Sequence, residues 1–156
     1  MALTQTELGA SVSFSPRWWS FISSTRIFVQ SFCGHNFGDD AFSDRVAMVA
    51  HELMENAVKY SARPDGHVTC TVEVEGPQVR INVENPASPE DIATLRDEMA
   101  FVSQGDPLEV YVLKMQRSAM TDKSQIGLAR CRYEGKAELS FTVDRGIITV
   151  EALVIR

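Results

Sequence analysis

Several features that mark other protein classes are scarce in this sequence of 156 residues. The three cysteines are widely spaced and form no Cys-x-x-Cys pair, so we expect neither a disulfide framework nor a zinc site, and we interpret them as small buried hydrophobic residues. The first ten residues lack the basic and apolar segments of a secretory signal, and no apolar run approaches the ~20 residues of a membrane span. Lys and Arg number 15 against 21 Asp and Glu, and the net charge of −6 argues against a nucleic-acid binder or a polybasic membrane surface. We therefore expect a cytoplasmic protein with no nucleic-acid or membrane partner.

The composition is that of an ordinary folded domain. With 44% hydrophobic and 23% charged residues, the chain has enough apolar material for a core of its own. It contains no internal repeat, no low-complexity segment and no linker. We expect one domain that spans residues 1–156.

Hydrophobic periodicity predicts both strands and helices. Apolar residues alternate with polar ones in five segments, two pairs of which are separated by turns that contain glycine and form hairpins. Helical spacing or capping signals predict further elements, including a Ser-Pro-Glu-Asp capping box at Ser88. The predicted strands are 7–15, 68–74, 79–83, 139–143 and the apolar run to Ile155; the predicted helices are 16–33, 40–60, 89–101, 108–120 and 124–134. Residues 34–40 are predicted to be a turn. Grouped helices and paired strands indicate an α+β, two-layer sandwich with a mostly antiparallel sheet covered on one face.

The helix over residues 40–60 carries two stripes. Apolar residues at helical spacing form one, while Glu52, Asn56 and Lys59 follow the i, i+4, i+7 rule and form a second, polar one beside it. A carboxylate, an amide and an ammonium aligned next to a core are the strongest indication of function. The ordinary alternative is a surface helix in which Glu55 and Lys59 form an i, i+4 pair.

The segment Glu52-x-x-x-Asn56-Ala57-x-Lys59-Tyr60 resembles the N-box of the GHKL ATP-binding superfamily, which includes gyrase, histidine kinases and anti-sigma-factor serine kinases. Its Glu-Leu-Met-Glu-Asn-Ala form is closest to the stand-alone serine/threonine kinases of bacterial partner-switching systems. The order of predicted elements also fits the Bergerat-type fold of that superfamily.

The resemblance implies a set of roles. Asn56 matches the asparagine whose oxygen ligates Mg²⁺, a hard cation that bridges nucleotide phosphates. Glu52 matches the general base, and Lys59 is placed to contact a phosphate. ATP and Mg²⁺ would be the cofactors. The partner would be a small antagonist-like regulatory protein with a phosphorylatable Ser or Thr, and relatives are often homodimers.

The two glycine-rich boxes of the superfamily are eroded. Where the first holds an aspartate that accepts the adenine amino group, this chain has Asn85, whose amide oxygen is also an acceptor. The second box retains only Gly127, with Ser124 placed either to bind an anion at a helix start or to cap the helix.

Two functions therefore remain open from the sequence. The first is an ATP- and Mg²⁺-dependent serine/threonine protein kinase. The second is a non-enzymatic, degenerate GHKL module that sequesters a regulatory protein. ATP hydrolysis without a protein acceptor, as in the gyrase branch, is a weaker third reading because those enzymes append further domains.

Overall fold

The computed structural model describes residues 8–63, 66–120 and 126–156. Within these residues it contains five strands and five α-helices, with a short 3₁₀ turn, Pro16–Trp18, after the first strand. The elements are β1 (Leu8–Phe14), α1 (Phe21–Phe37), α2 (Asp40–Lys59), β2 (Val68–Glu75), β3 (Gln78–Pro86), α3 (Pro89–Val102), α4 (Pro107–Ala119), α5 (Gly127–Tyr133), β4 (Glu138–Asp144) and β5 (Ile147–Ile155).

The strands form one antiparallel sheet in the order β1-β2-β3-β5-β4. Val72, Ile81 and Ala152 lie in register across its centre and are buried, as are Cys70, Val83 and Val150 in the next row on the same face. The next row, which contains Thr71 and Asn82, faces the other side and is polar. This period of two gives the sheet one apolar face and one polar face, which confirms the predicted two-layer α+β sandwich.

Helix α2 occupies the centre of the helical layer. It packs against β2, β3 and β5 below it and against α1 and α5 on its flanks. Val46, Val49 and Leu53 are at most 1% exposed, so the apolar stripe predicted from the sequence is the face that meets the sheet. Asp39 starts the helix by accepting a hydrogen bond from the Phe42 amide at 3.0 Å.

Both predicted hairpins and the capping box are confirmed. Ser88 Oγ accepts from the Asp91 amide at 3.1 Å at the start of α3. The turn between β4 and β5 places Arg145 and Gly146 at φ 51° and 77°, the left-handed pair that a two-residue hairpin requires.

The predicted bounds of the first helix were wrong. Pro16 begins only a 3₁₀ turn, and α1 proper starts at Phe21 and continues to Phe37, which includes the first four residues of the segment predicted as a turn. The helix ends where Gly38 adopts a left-handed φ of 59° and its amide donates to the Gly34 carbonyl. Of the last helix, predicted for residues 124–134, the structure shows α5 over Gly127–Tyr133, and residues 124 and 125 lie outside the described residues.

Among the described residues, no helix combines the length and the apolar character that crossing a bilayer requires. Cys33, Cys70 and Cys131 are free thiols and all three are buried, as the sequence predicted.

Candidate functional site

A cavity of about 340 Å³ opens over the C-terminal half of α2. Its walls come from the start of α1 on one side and from α3 and α5 on the other. Its lining consists of Trp19, Ile22, Glu52, Glu55, Asn56, Val58, Lys59, Tyr60, Glu98, Gly127 and Leu128. Four of the six residues predicted for the site, Glu52, Asn56, Lys59 and Gly127, therefore meet in one place.

Glu52 is covered by α5. Its Oε1 accepts from Nη1 of Arg130 at 2.8 Å, and its Oε2 faces Gly127, where an added Cβ would lie only 2.8 Å from that oxygen. The Glu52 side chain is 14% exposed. The predicted general base is thus held in an ion pair at one oxygen and packed against a glycine at the other.

Arg130 is shared by two carboxylates. Its Nε donates to Glu134 Oε2 at 2.7 Å, and Tyr111 donates its hydroxyl to Glu134 Oε1 at 3.0 Å. The hydrogen bond with Glu134 and then the one with Glu52 raise the pKa of Arg130 above its usual value. The Arg130 guanidinium in turn, followed by the Tyr111 hydroxyl, lowers the pKa of Glu134. This network joins α2, α4 and α5.

Asn56 and Lys59 lie one turn and two turns after Glu52 on the same side of α2. The Asn56 side chain is half-buried in the cavity wall, and Lys59 is exposed, with its Nζ 5.3 Å from the centre of the Tyr60 ring. Burial, and then the charge of Glu98, raises the pKa of Tyr60. Asn56 and Lys59 accordingly line the same space as the Glu52 carboxylate.

Asn85 does not line the cavity. It is 3% exposed, and its amide nitrogen donates to the Tyr60 carbonyl at 3.2 Å and to the Pro86 carbonyl at 3.1 Å. The predicted role of Asn85 as a nucleotide contact therefore competes with a structural one that the geometry shows, in which the side chain fastens the end of α2 to β3. Ser124 lies outside the described residues.

The carboxylates around the cavity have partners of opposite or potentially opposite charge. Glu98 pairs with Lys114 at 2.6 Å, and that lysine is 7% exposed. Glu55 lies 3.1 Å from Nε2 of His51. Lys114 also sits over the Phe101 ring, at 5.1 Å from its centre. Such pairing reduces the negative potential that three glutamates would otherwise present to an anionic ligand.

Sequence reasoning did not identify Arg130, Glu98 or Trp19 as parts of the site. Arg130 and Glu52 are 78 positions apart, and no local pattern signals that pairing. One available signal was that Arg130 follows Gly127 by three positions, which places both on one side of a helix.

The residues present suit a magnesium-bound polyphosphate in part. Mg²⁺ takes oxygen ligands and commonly combines one or two protein oxygens with phosphate oxygens and water, which one amide oxygen from Asn56 satisfies. Within the described ranges, no group of three or more His, Cys, Asp or Glu is arranged to hold a metal by itself. The cavity volume lies near the lower end of the roughly 300–1,000 Å³ usual for small-molecule sites.

No family model matches the sequence, and no curated protein shows significant similarity to it. Among solved structures, the fold is similar to that in the crystal structure of the SiaB–SiaC complex from Pseudomonas aeruginosa, with a TM-score of 0.69. The two chains are 12% identical, and the match covers 98% of this chain and 92% of that chain. At this level of identity, the likeness establishes a shared fold over almost the whole length of both proteins.

Proposed function

We propose that this protein is a regulator of the partner-switching type, which binds a small protein and phosphorylates a serine or threonine on it with Mg·ATP. One observation carries the proposal: Glu52, Asn56, Lys59 and Gly127 line a single cavity. The solved structure of similar fold is a complex with a second protein, SiaC, which supports a protein partner here as well.

Each residue has a role in this reaction. Bound Mg·ATP supplies the γ-phosphoryl group. Asn56 would hold the metal through its amide oxygen, and Lys59 would neutralise phosphate charge. Glu52 accepts the proton of the partner's hydroxyl as its oxygen forms the new bond to phosphorus and the bond to the ADP oxygen breaks.

The direct test is phosphate transfer from labelled ATP to purified candidate partners, beside calorimetry with Mg·ATP. Asn56→Ala should abolish transfer and weaken Mg²⁺-dependent binding. Asn82→Ala is the matched control, because Asn82 lies on the polar face of the sheet, away from the cavity. If Asn56→Ala retains wild-type transfer, the mechanism is wrong.

A non-enzymatic sequestering module on the same fold is the second candidate. The contacts of Glu52 with α5 favour it, since one carboxylate oxygen is hydrogen-bonded to Arg130 and the other lies close to Gly127, which leaves little room for a partner's hydroxyl. Absence of binding heat at millimolar Mg·ATP, together with tight association of a partner, would decide for the module. A homodimer stays a prediction of the family resemblance, to be measured by sedimentation.

A further inference from the structure

Lys59 alone does not balance the negative charges that would meet in the cavity when a polyphosphate binds. A nucleoside triphosphate carries several negative charges, which its binding site has to neutralise. Glu52, Glu55 and Glu98 line the space, while Lys59 is the one Lys or Arg among the described lining residues. A further cation beside the cavity would strengthen the binding of a polyphosphate.

Arg130 is placed to be that cation. Its Nη1 already lies 2.8 Å from an oxygen of Glu52, which lines the cavity. A guanidinium binds phosphate oxygens through a planar pair of donors and carries its charge at any working pH.

The two carboxylate partners of Arg130 differ in their attachment. Glu134 is four residues further along the chain and moves with the arginine, and its second oxygen is fixed by the Tyr111 hydroxyl. Glu52 belongs to another helix. A change in the side-chain torsions of Arg130 can therefore break the contact with Glu52 while the Glu134 carboxylate stays within reach of the guanidinium.

We propose that Arg130 is a phosphate-binding residue that exchanges its Glu52 contact for a phosphate oxygen when Mg·polyphosphate enters the cavity. The same exchange frees Glu52, so the base becomes available only when the nucleotide is present. This inference rests on the proposed function in requiring that the cavity bind Mg·ATP.

The test is calorimetry of the intact protein with Mg·ATP and with Mg·tripolyphosphate, which lacks the base. Arg130→Gln should weaken binding of both ligands by about tenfold or more, as loss of a charge-assisted hydrogen bond does, and Arg130→Lys should recover part of the affinity.

Arg80→Gln is the matched control. Arg80 is likewise shared by two carboxylates, Glu75 and Glu151, but on the polar face of the sheet, so its loss should leave affinity unchanged.

Glu52→Gln distinguishes this role from a merely structural ion pair. Releasing the guanidinium should tighten binding, the opposite of the Arg130→Gln effect, and the gain should disappear when both substitutions are combined.

If the ion pair were only structural, both single variants would bind more weakly, and this outcome would overturn the inference. Wild-type affinity in Arg130→Gln would also overturn it. In the latter case the proposed function stands. If the wild-type protein binds neither ligand at millimolar concentration, the proposed function and this inference both fail. Circular dichroism of each variant verifies that it is folded.

Discussion

Glu52 and Arg130 form an ion pair that connects α2 to α5, with Oε1 and Nη1 separated by 2.8 Å. The two sides of the pair are unequal, because Glu52 is 14% exposed whereas Arg130 is 34% exposed and has Glu134 as a second partner. Removal of the arginine leaves a poorly hydrated carboxylate alone, while neutralising the glutamate leaves the arginine paired.

We therefore expect Arg130→Met to lower the free energy of unfolding by about 2 kcal/mol and Glu52→Gln to lower it by less. Urea denaturation monitored by far-ultraviolet circular dichroism measures both values. If Glu52→Gln loses more unfolding free energy than Arg130→Met, this ranking of the two partners is wrong.

The close packing of Glu52 leaves no room for a side chain at Gly127. A methyl group at this position would lie 2.8 Å from Glu52 Oε2. The hydrogen bond from Arg130 to the other carboxylate oxygen restrains Glu52 from moving aside. Gly127→Ala should therefore destabilise the fold by roughly 1–2 kcal/mol, and most of this cost should vanish in a Glu52→Ala background.

Gly34→Ala provides the comparison. The nearest atom to a Cβ there is Ser43 Oγ at 3.7 Å, an ordinary contact, and the position lies inside α1. This substitution should stabilise the protein by about 0.5–1 kcal/mol. If Gly127→Ala and Gly34→Ala change the free energy of unfolding equally, the steric explanation for Gly127 is wrong.

Asn85→Asp separates the structural from the nucleotide-binding role of this position. The carboxylate loses the amide donors to the Tyr60 and Pro86 carbonyls, so we expect a loss of about 2–3 kcal/mol in unfolding free energy. If Asn85 instead contacts adenine, introducing the aspartate that the GHKL resemblance implies at this position should tighten Mg·ATP binding. Paired denaturation and calorimetry on the same preparation decide between these outcomes.

The buried thiols predict a dependence on alkaline pH. Burial raises the pKa of Cys33 from 9.0 to about 11 and that of Cys70 to about 12. Because the folded-state pKa lies above the unfolded value, the stabilisation is fully present below pH 9 and is lost as the pH rises through these values. The melting temperature should fall between pH 9 and 11, and iodoacetamide at pH 8 should label the thiols only after unfolding. Rapid labelling of the native protein would contradict this burial.

Local patterns predicted most of the fold, since α2, both hairpins and α3 depend on periodicity and capping within a few residues. The first helix was misplaced because Ser15-Pro16 is an equally good start for a 3₁₀ turn, and Gly34 reads as a breaker although it packs inside α1. The polar stripe of α2 was visible in the sequence. Its connection to Arg130 was not, because only the packing of α5 on α2 brings them together.

Asn85 also shows that a local sequence pattern does not specify long-range contacts. Its position near the end of β3 matches the one that the GHKL resemblance assigns to an adenine-binding aspartate, yet hydrogen bonds to two carbonyls hold it in the core. Sequence position specified where the residue lies in the fold, whereas its hydrogen-bond partners depend on where α2 ends.

The chain's two tryptophans, Trp18 and Trp19, lie side by side with exposed fractions of 64% and 66%. Their fluorescence already comes from solvated indoles in the folded state, so emission is a poor reporter of unfolding. It is a good reporter of the cavity, because Trp19 forms part of the wall and Trp18 does not. A Trp18→Phe protein would therefore carry a single intrinsic fluorophore at the mouth of the site, ready for ligand titrations without any attached dye.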